Sequence, residues 1–138
     1  MTRNEAREQA FLLLFSDCFH DSQTTEEMID TAVQANNYEE NDFTQKLIEG
    51  VKANEAELNE AIRRHLKKWQ FERLPKTTVA ILRIAIYEIL YFEDVPDAVS
   101  VNEAVELAKR FGSEKDYSFI NGVLGSIVRE KNEADSGN

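Results

Sequence analysis

The chain has 138 residues, 42% of them hydrophobic and 30% charged, and a net charge of −10. This composition excludes a disordered chain and fits one folded domain with a core of its own. The acidic balance disfavours non-specific binding to nucleic acid, itself an anion, and suits a basic protein partner.

The first segment, Met1 to Glu8, lacks the apolar stretch of a signal peptide, and the single Cys18 allows no intramolecular disulfide. Both fit a reducing, cytoplasmic setting. Thr2 or Asn4 can cap a first helix running to about Phe19, with Ala6, Ala10, Leu13, Leu14 and Cys18 on its apolar face. Arg3, Arg7, Phe11 and Phe15 follow one another at i+4 along its flank. Packing accounts for Phe11, with both arginines solvated; for Phe15 the pattern fits core packing or an exposed role equally. His20 falls near the helix C-terminus, where a cap is its natural part.

Thr24-Thr25-Glu26-Glu27 starts a second short helix with Met28, Ile29, Ala32 and Val33 inward, and Asn36-Asn37 ends it. A third is expected from Glu39 to Ala53, with Phe43, Leu47, Ile48 and Val51 apolar and Gly50 inside it. A fourth runs from Asn54 or Glu55 to about Trp69, with Leu58, Ile62 and Leu66 inward. Around its end, Arg63, Arg64, Lys67, Lys68, Arg73 and Lys76 supply six of the sixteen basic residues, with His65, Trp69 and Phe71 among them. Basic residues interleaved with aromatics bind phosphates and stack bases; alternatively Trp69 and Phe71 turn inward and the cations complement the helix C-terminus.

Val79 to Phe92 is the least polar run of the chain. Pro75 precedes it and Pro96 follows it, so it reads as a helix apolar on most sides, the core of a helical protein. It is too short to span a bilayer, which takes ~20 apolar residues, and it carries Arg83 and Glu88, which need partners or a place at the rim. Ser100-Val101-Asn102-Glu103 has the form of a capping box, and Gly112 suits the position after the helix it would open. Ser113 with Asp116 can cap a last helix whose stripe is Tyr117, Ile120, Leu124, Ile127 and Val128. Phe119 falls off that stripe, on the side of Lys115, Gly122 and Ser126. An aromatic beside a cation there is a base-stacking candidate or packs against another element. Residues 132–138 are polar and are expected to fray from a domain of residues 1–131.

About seven helices and no strand make the chain all-α. Two histidines, one cysteine and no phosphate-cradling glycine loop leave no recognisable catalytic, cofactor or metal site, so no enzyme is expected.

Several motifs occur in an order and spacing that resemble one family. Trp69-Gln70-Phe71-Glu72-Arg73-Leu74 is followed by Ile81 through Ile89, then Val95-Pro96, then Val101 through Lys109 with Phe111-Gly112, and finally Phe119 through Leu124. The chain resembles the NusB family of bacterial transcription antitermination factors. The resemblance implies two small helical bundles and a role without catalysis: with the ribosomal protein NusE, such proteins bind boxA RNA of ribosomal RNA leaders and help load an antitermination complex on RNA polymerase. It implies RNA contacts at Arg3, Arg7, Phe15, Lys115, Ser118 and Phe119, and NusE contacts at Glu72 and Thr78. The arginine-rich start of the family is thin here, with Glu5 where another cation is expected, so NusE is expected to supply missing electrostatics. A NusB-like domain also occurs in ribosomal RNA cytosine methyltransferases; the length of this chain leads us to expect no catalytic domain beside it. The competing reading is a helical protein-interaction module without an RNA role. A homodimer is compatible with either.

Overall fold

The computed structural model describes residues 1–20, 23–67 and 70–136. Seven α-helices and one 3-10 turn, with no strand among the described residues, divide into two compact units, Met1–Asn54 and Glu55–Asn138. No helix among the described residues is long and apolar enough to cross a membrane.

The first unit holds α1 (Arg3–Asp17), α2 (Thr25–Gln34) and α3 (Asp42–Ala53). Thr2 and Thr24 each open a helix with a full capping box, closed by Glu5 and Glu27. Glu5 is therefore the reciprocal cap of α1, which explains an acid between two arginines. Asn36 ends α2 in the left-handed conformation (φ 60°), and the amides of Asn36 and Asn37 return to the Val33 and Ala32 carbonyls. Val33, expected inward, is 54% exposed, because Met28 and Ala32 fill the buried side of this short helix. Helix α3 starts later than Glu39: Asn41 caps it by accepting from the Thr44 amide, and the Glu39 amide donates instead to Gln9. Ala6, Ala10, Phe11, Leu14, Leu47, Ile48 and Val51 form the core of the unit. The Thr44 hydroxyl, fully buried there, donates to the Ala6 carbonyl at 3.0 Å. At the end of α1, Nδ1 of His20 lies 2.9 Å from the Ser16 carbonyl, the capping position read from the sequence.

The second unit holds α4 (Glu55–Arg63), α5 (Lys76–Tyr91), α6 (Asp97–Phe111) and α7 (Glu114–Ser136), with the 3-10 turn Phe71–Arg73 before α5. Helix α5 packs against α4, α6 and α7. Its buried Val79, Ile81, Leu82, Ile84, Ile86 and Ile89 each contribute about 1.5–3 kcal/mol as an upper bound on burial. Its two internal charges are met. Arg83 donates to Asn59 at 2.9 Å and lies 3.4 Å from Glu55; buried Glu88 accepts from the Ser100 hydroxyl at 3.2 Å.

That last bond corrects the expected capping box. Helix α6 begins at Asp97, directly after Pro96, so Ser100 lies inside the helix and spends its hydroxyl on Glu88 rather than on a helix end. Gly112 follows α6, but in an extended conformation (φ −118°) and not a left-handed one. It is needed for space, since a Cβ there would stand 2.9 Å from the Ala108 carbonyl oxygen. Helix α4 stops at Arg63, well short of Trp69, and tightens through i→i+3 bonds at His65 and Leu66; Trp69 and Lys68 lie outside the described residues. Helix α7 runs on to Ser136, so residues 132–136, expected to fray, continue the helix.

Candidate nucleic-acid interface

The 3-10 turn and the start of α5 form one wall of a groove in the second unit, and the first turns of α7 form the other. Its volume is about 820 Å³. Leu74 and Pro75 turn the chain into α5, which leaves Arg73 and Thr78 on the first wall. On the opposite wall, Ser113 and Asp116 fix where α7 starts. The Asp116 carboxylate accepts from the Ser113 amide at 2.8 Å and from its hydroxyl at 3.0 Å, the cap expected from the sequence. From that start, Lys115, Ser118 and Phe119 fall three and four residues apart and share the groove side of the helix.

The buried stripe of α7 is Ile120, Val123, Leu124 and Ile127, which leaves Phe119 half-buried at the groove. Lys115 and Ser118 are exposed. Neither Lys115 nor Arg73 makes an ion pair among the described residues. Thr78 is 1% exposed, and its hydroxyl has no hydrogen-bond partner among the described residues. The structure thus brings four expected site residues, Thr78, Lys115, Ser118 and Phe119, to one groove. It adds Arg73, which the sequence placed only within a basic run.

Glu72 does not line the groove. It points to solvent, 3.6 Å from Arg63, whose guanidinium lies 4.5 Å from the centre of the Phe71 ring. Arg64 and His65 both approach Glu130 of α7, at 3.6 and 3.1 Å. The basic run is thus dispersed: Arg63 and Arg64 are paired within the unit, and among its described members Arg73 reaches the groove.

The candidates of the first unit stand in a different setting. Arg3 and Arg7 both lie over the Phe43 ring, at 4.8 and 5.1 Å from its centre. Arg7 is not solvated as expected: it is 3% exposed and donates to the Asn4 side chain at 3.0 Å. The sequence missed Phe43 as the platform for both, since only the pairing of α1 with α3 brings it there. Phe11 is buried, as expected from its spacing. Phe15 is half-buried in an aromatic row, stacked on Phe11 at 5.9 Å and edge-on to Phe19 at 5.3 Å.

Displaced titrations lie away from the groove. The Thr2 amide and hydroxyl hold the Glu5 carboxyl below its ordinary value. The Tyr91 phenol, which donates to Glu57 at 2.7 Å, is raised by that bond, and burial raises Tyr38. No cluster of three or more His, Cys, Asp or Glu is arranged to hold a metal ion among the described residues.

A model of the NusB family matches residues 4–129. The transcription antitermination protein NusB of Listeria monocytogenes serotype 4a (strain HCC23) is 42% identical over 131 residues, covering 94% of this chain and 98% of that protein. The protein of the same name from Oceanobacillus iheyensis is 41% identical over 128 residues, covering 93% and 99%. Among solved structures, Thermotoga maritima NusB superposes with a TM-score of 0.84 at 32% identity, covering 94% of this chain and 92% of that one. A crystal structure of antitermination factors NusB and NusE in complex with dsRNA superposes with a TM-score of 0.80 at 25% identity, covering 94% and 99%.

Proposed function

The chain belongs to the NusB family, and from that premise we propose that it is a non-catalytic antitermination factor that binds boxA RNA of ribosomal RNA leaders together with NusE. It acts in the cytoplasm, where the pair helps load the antitermination complex on RNA polymerase. The observation that carries the RNA part is the groove of the second unit, where an exposed cation, an exposed hydroxyl and a half-buried aromatic ring stand on one helix side. Phe119 offers a face for a base, Lys115 a charge for a phosphate and Ser118 a hydrogen bond. A structurally similar NusB has been crystallised with NusE and dsRNA, which supports the same assembly here.

Arg3 and Phe15 contribute from the first unit, Arg3 as a phosphate contact and Phe15 as a further aromatic face. Arg7, buried over Phe43, holds that surface in place. Glu72 is exposed and acidic, as a contact for basic NusE requires. With a net charge of −10, the chain alone binds RNA weakly, and NusE supplies the missing cations.

Titration of a boxA-containing leader RNA and a scrambled control, with and without NusE and at two salt concentrations, tests this. A boxA-selective complex strengthened by NusE is expected. Equal affinity with and without NusE would refute the shared electrostatics, and no selectivity in any mixture would refute the antitermination role.

A further inference from the structure

The groove contains more chemistry than a stacking ring and one lysine. Arg73 enters it from the wall opposite Lys115, so two cations from separate elements face one space. Both are solvent-exposed and lack ion-pair partners among the described residues. The Thr78 hydroxyl is a third feature. A buried hydroxyl without a partner costs stability and is rare in folded proteins. Here it belongs to a residue that lines the same groove. An unmet hydroxyl on a residue that lines the groove with two unpaired cations suits a ligand rich in anionic and carbonyl acceptors.

We propose that Arg73 and Lys115 clamp one phosphate of the bound RNA across this groove, with the Thr78 hydroxyl, on the Arg73 wall, donating to the same nucleotide. The proposal rests on the RNA-binding reading above and extends it: the RNA path crosses from α7 to the wall formed by the 3-10 turn and α5, and Thr78 serves RNA rather than NusE.

Two carboxylates also line the groove, and they set the terms. Asp116 is committed to the Ser113 cap, so its charge is partly spent on that amide and hydroxyl. The same cap occupies the helix end, which leaves the two side-chain cations, not the helix dipole, to hold the phosphate. Glu114 is exposed at the rim and opposes an anion. It keeps the groove from being a general anion trap, so a phosphate is held only when the adjoining base stacks on Phe119.

The test uses the full chain with NusE and boxA-containing leader RNA, read by fluorescence anisotropy over a salt series. Arg73→Gln is expected to weaken binding about tenfold and to flatten the salt dependence by about 0.7 in log–log slope, the loss of one single-strand phosphate contact. Arg73→Lys is expected to retain the slope. Thr78→Val removes the unmet hydroxyl at nearly constant volume, so its melting temperature is expected to equal or exceed that of the wild type while RNA affinity falls about threefold or more. Glu114→Gln is expected to strengthen binding and reduce its selectivity over the scrambled RNA.

Wild-type affinity and slope in Arg73→Gln, beside a clear loss in Phe119→Ala, would overturn the clamp and leave the RNA-binding reading standing. Loss of NusE binding by Arg73→Gln or Thr78→Val without RNA, with unchanged RNA affinity in the absence of NusE, would overturn it in favour of a protein-docking groove. Absence of any boxA-selective binding by the wild type would bring down both.

Discussion

Arg7 of the first unit and the groove cations of the second are held in opposite ways. The first unit has four Arg and Lys residues against eleven Asp and Glu, and carries −7 of the net −10; the second has twelve against fifteen. In the first unit, Arg3 and Arg7 are stacked on Phe43, and Arg7 is buried beneath its own hydrogen bond. In the second, Lys115 and Arg73 stand over a groove with no ion pair among the described residues. A cation already desolvated and satisfied gains little from a phosphate, whereas an exposed one gains a charge-assisted bond and releases counterions. Arginine at an expected position therefore does not by itself identify a contact. Its burial decides whether it serves the fold or the ligand.

The sharpest way to break this contrast is to remove the stacking face. Phe119→Ala is expected to lower boxA affinity by ~1–3 kcal/mol, the value of one base stacked on an aromatic side chain. Circular dichroism and melting should change little, since the buried stripe of α7 is Ile120, Val123, Leu124 and Ile127. A large drop in melting temperature with proportionate loss of NusE binding would make Phe119 a packing residue.

Lys115→Glu comes next. It reverses a charge in the groove and is expected to weaken RNA binding roughly tenfold at low salt, with the loss shrinking as salt rises. NusE binding without RNA should persist. Loss of both activities would mean misfolding or a different site.

Arg7→Ala separates the two units most directly. Truncating a buried, hydrogen-bonded arginine is expected to cost the first unit about 1–3 kcal/mol in stability, read as a lower urea midpoint. RNA affinity measured well below that midpoint should fall less than for Lys115→Glu. The reverse order of effects would place the phosphate contacts on α1 after all.

The architecture was readable because its signals are local. Capping boxes at Thr2 and Thr24, the Ser113–Asp116 cap and the apolar run of α5 lie within a few residues of the features they specify. Three of the misreadings arose from contacts at distance. Ser100 matches the capping pattern, yet its partner is Glu88, on the preceding helix. Arg3 and Arg7 read as solvated until α3 lays Phe43 against them. Arg73 looked like one member of a basic run because nothing local shows that the turn before Pro75 faces the start of α7. Side-chain type and period identify the helices; which helix sides meet, and so which charges remain free, depends on contacts between segments far apart in the chain.

The smallest expected effect concerns Glu5, the acid set between the two arginines. Its carboxylate accepts from the Thr2 amide at 2.9 Å, and that contact holds its pKa below the ordinary 4.5. A carboxyl with a depressed folded-state pKa stabilises the fold above its unfolded value, and loses that contribution as pH falls through the folded value. The first turn of α1 is therefore expected to loosen in acid below the ordinary carboxylate range, read as faster exchange of its N-terminal amides. Glu5→Gln keeps a capping oxygen without the charge, so this acid-dependent step should vanish while the helix persists at neutral pH. The variant also removes a negative charge beside Arg3 and should raise RNA affinity slightly at low salt. A Glu5→Gln protein that keeps the acid-dependent step would assign it to another group. One that loses RNA affinity would show that the cap, by ordering the start of α1, matters more to the RNA surface than the charge it removes.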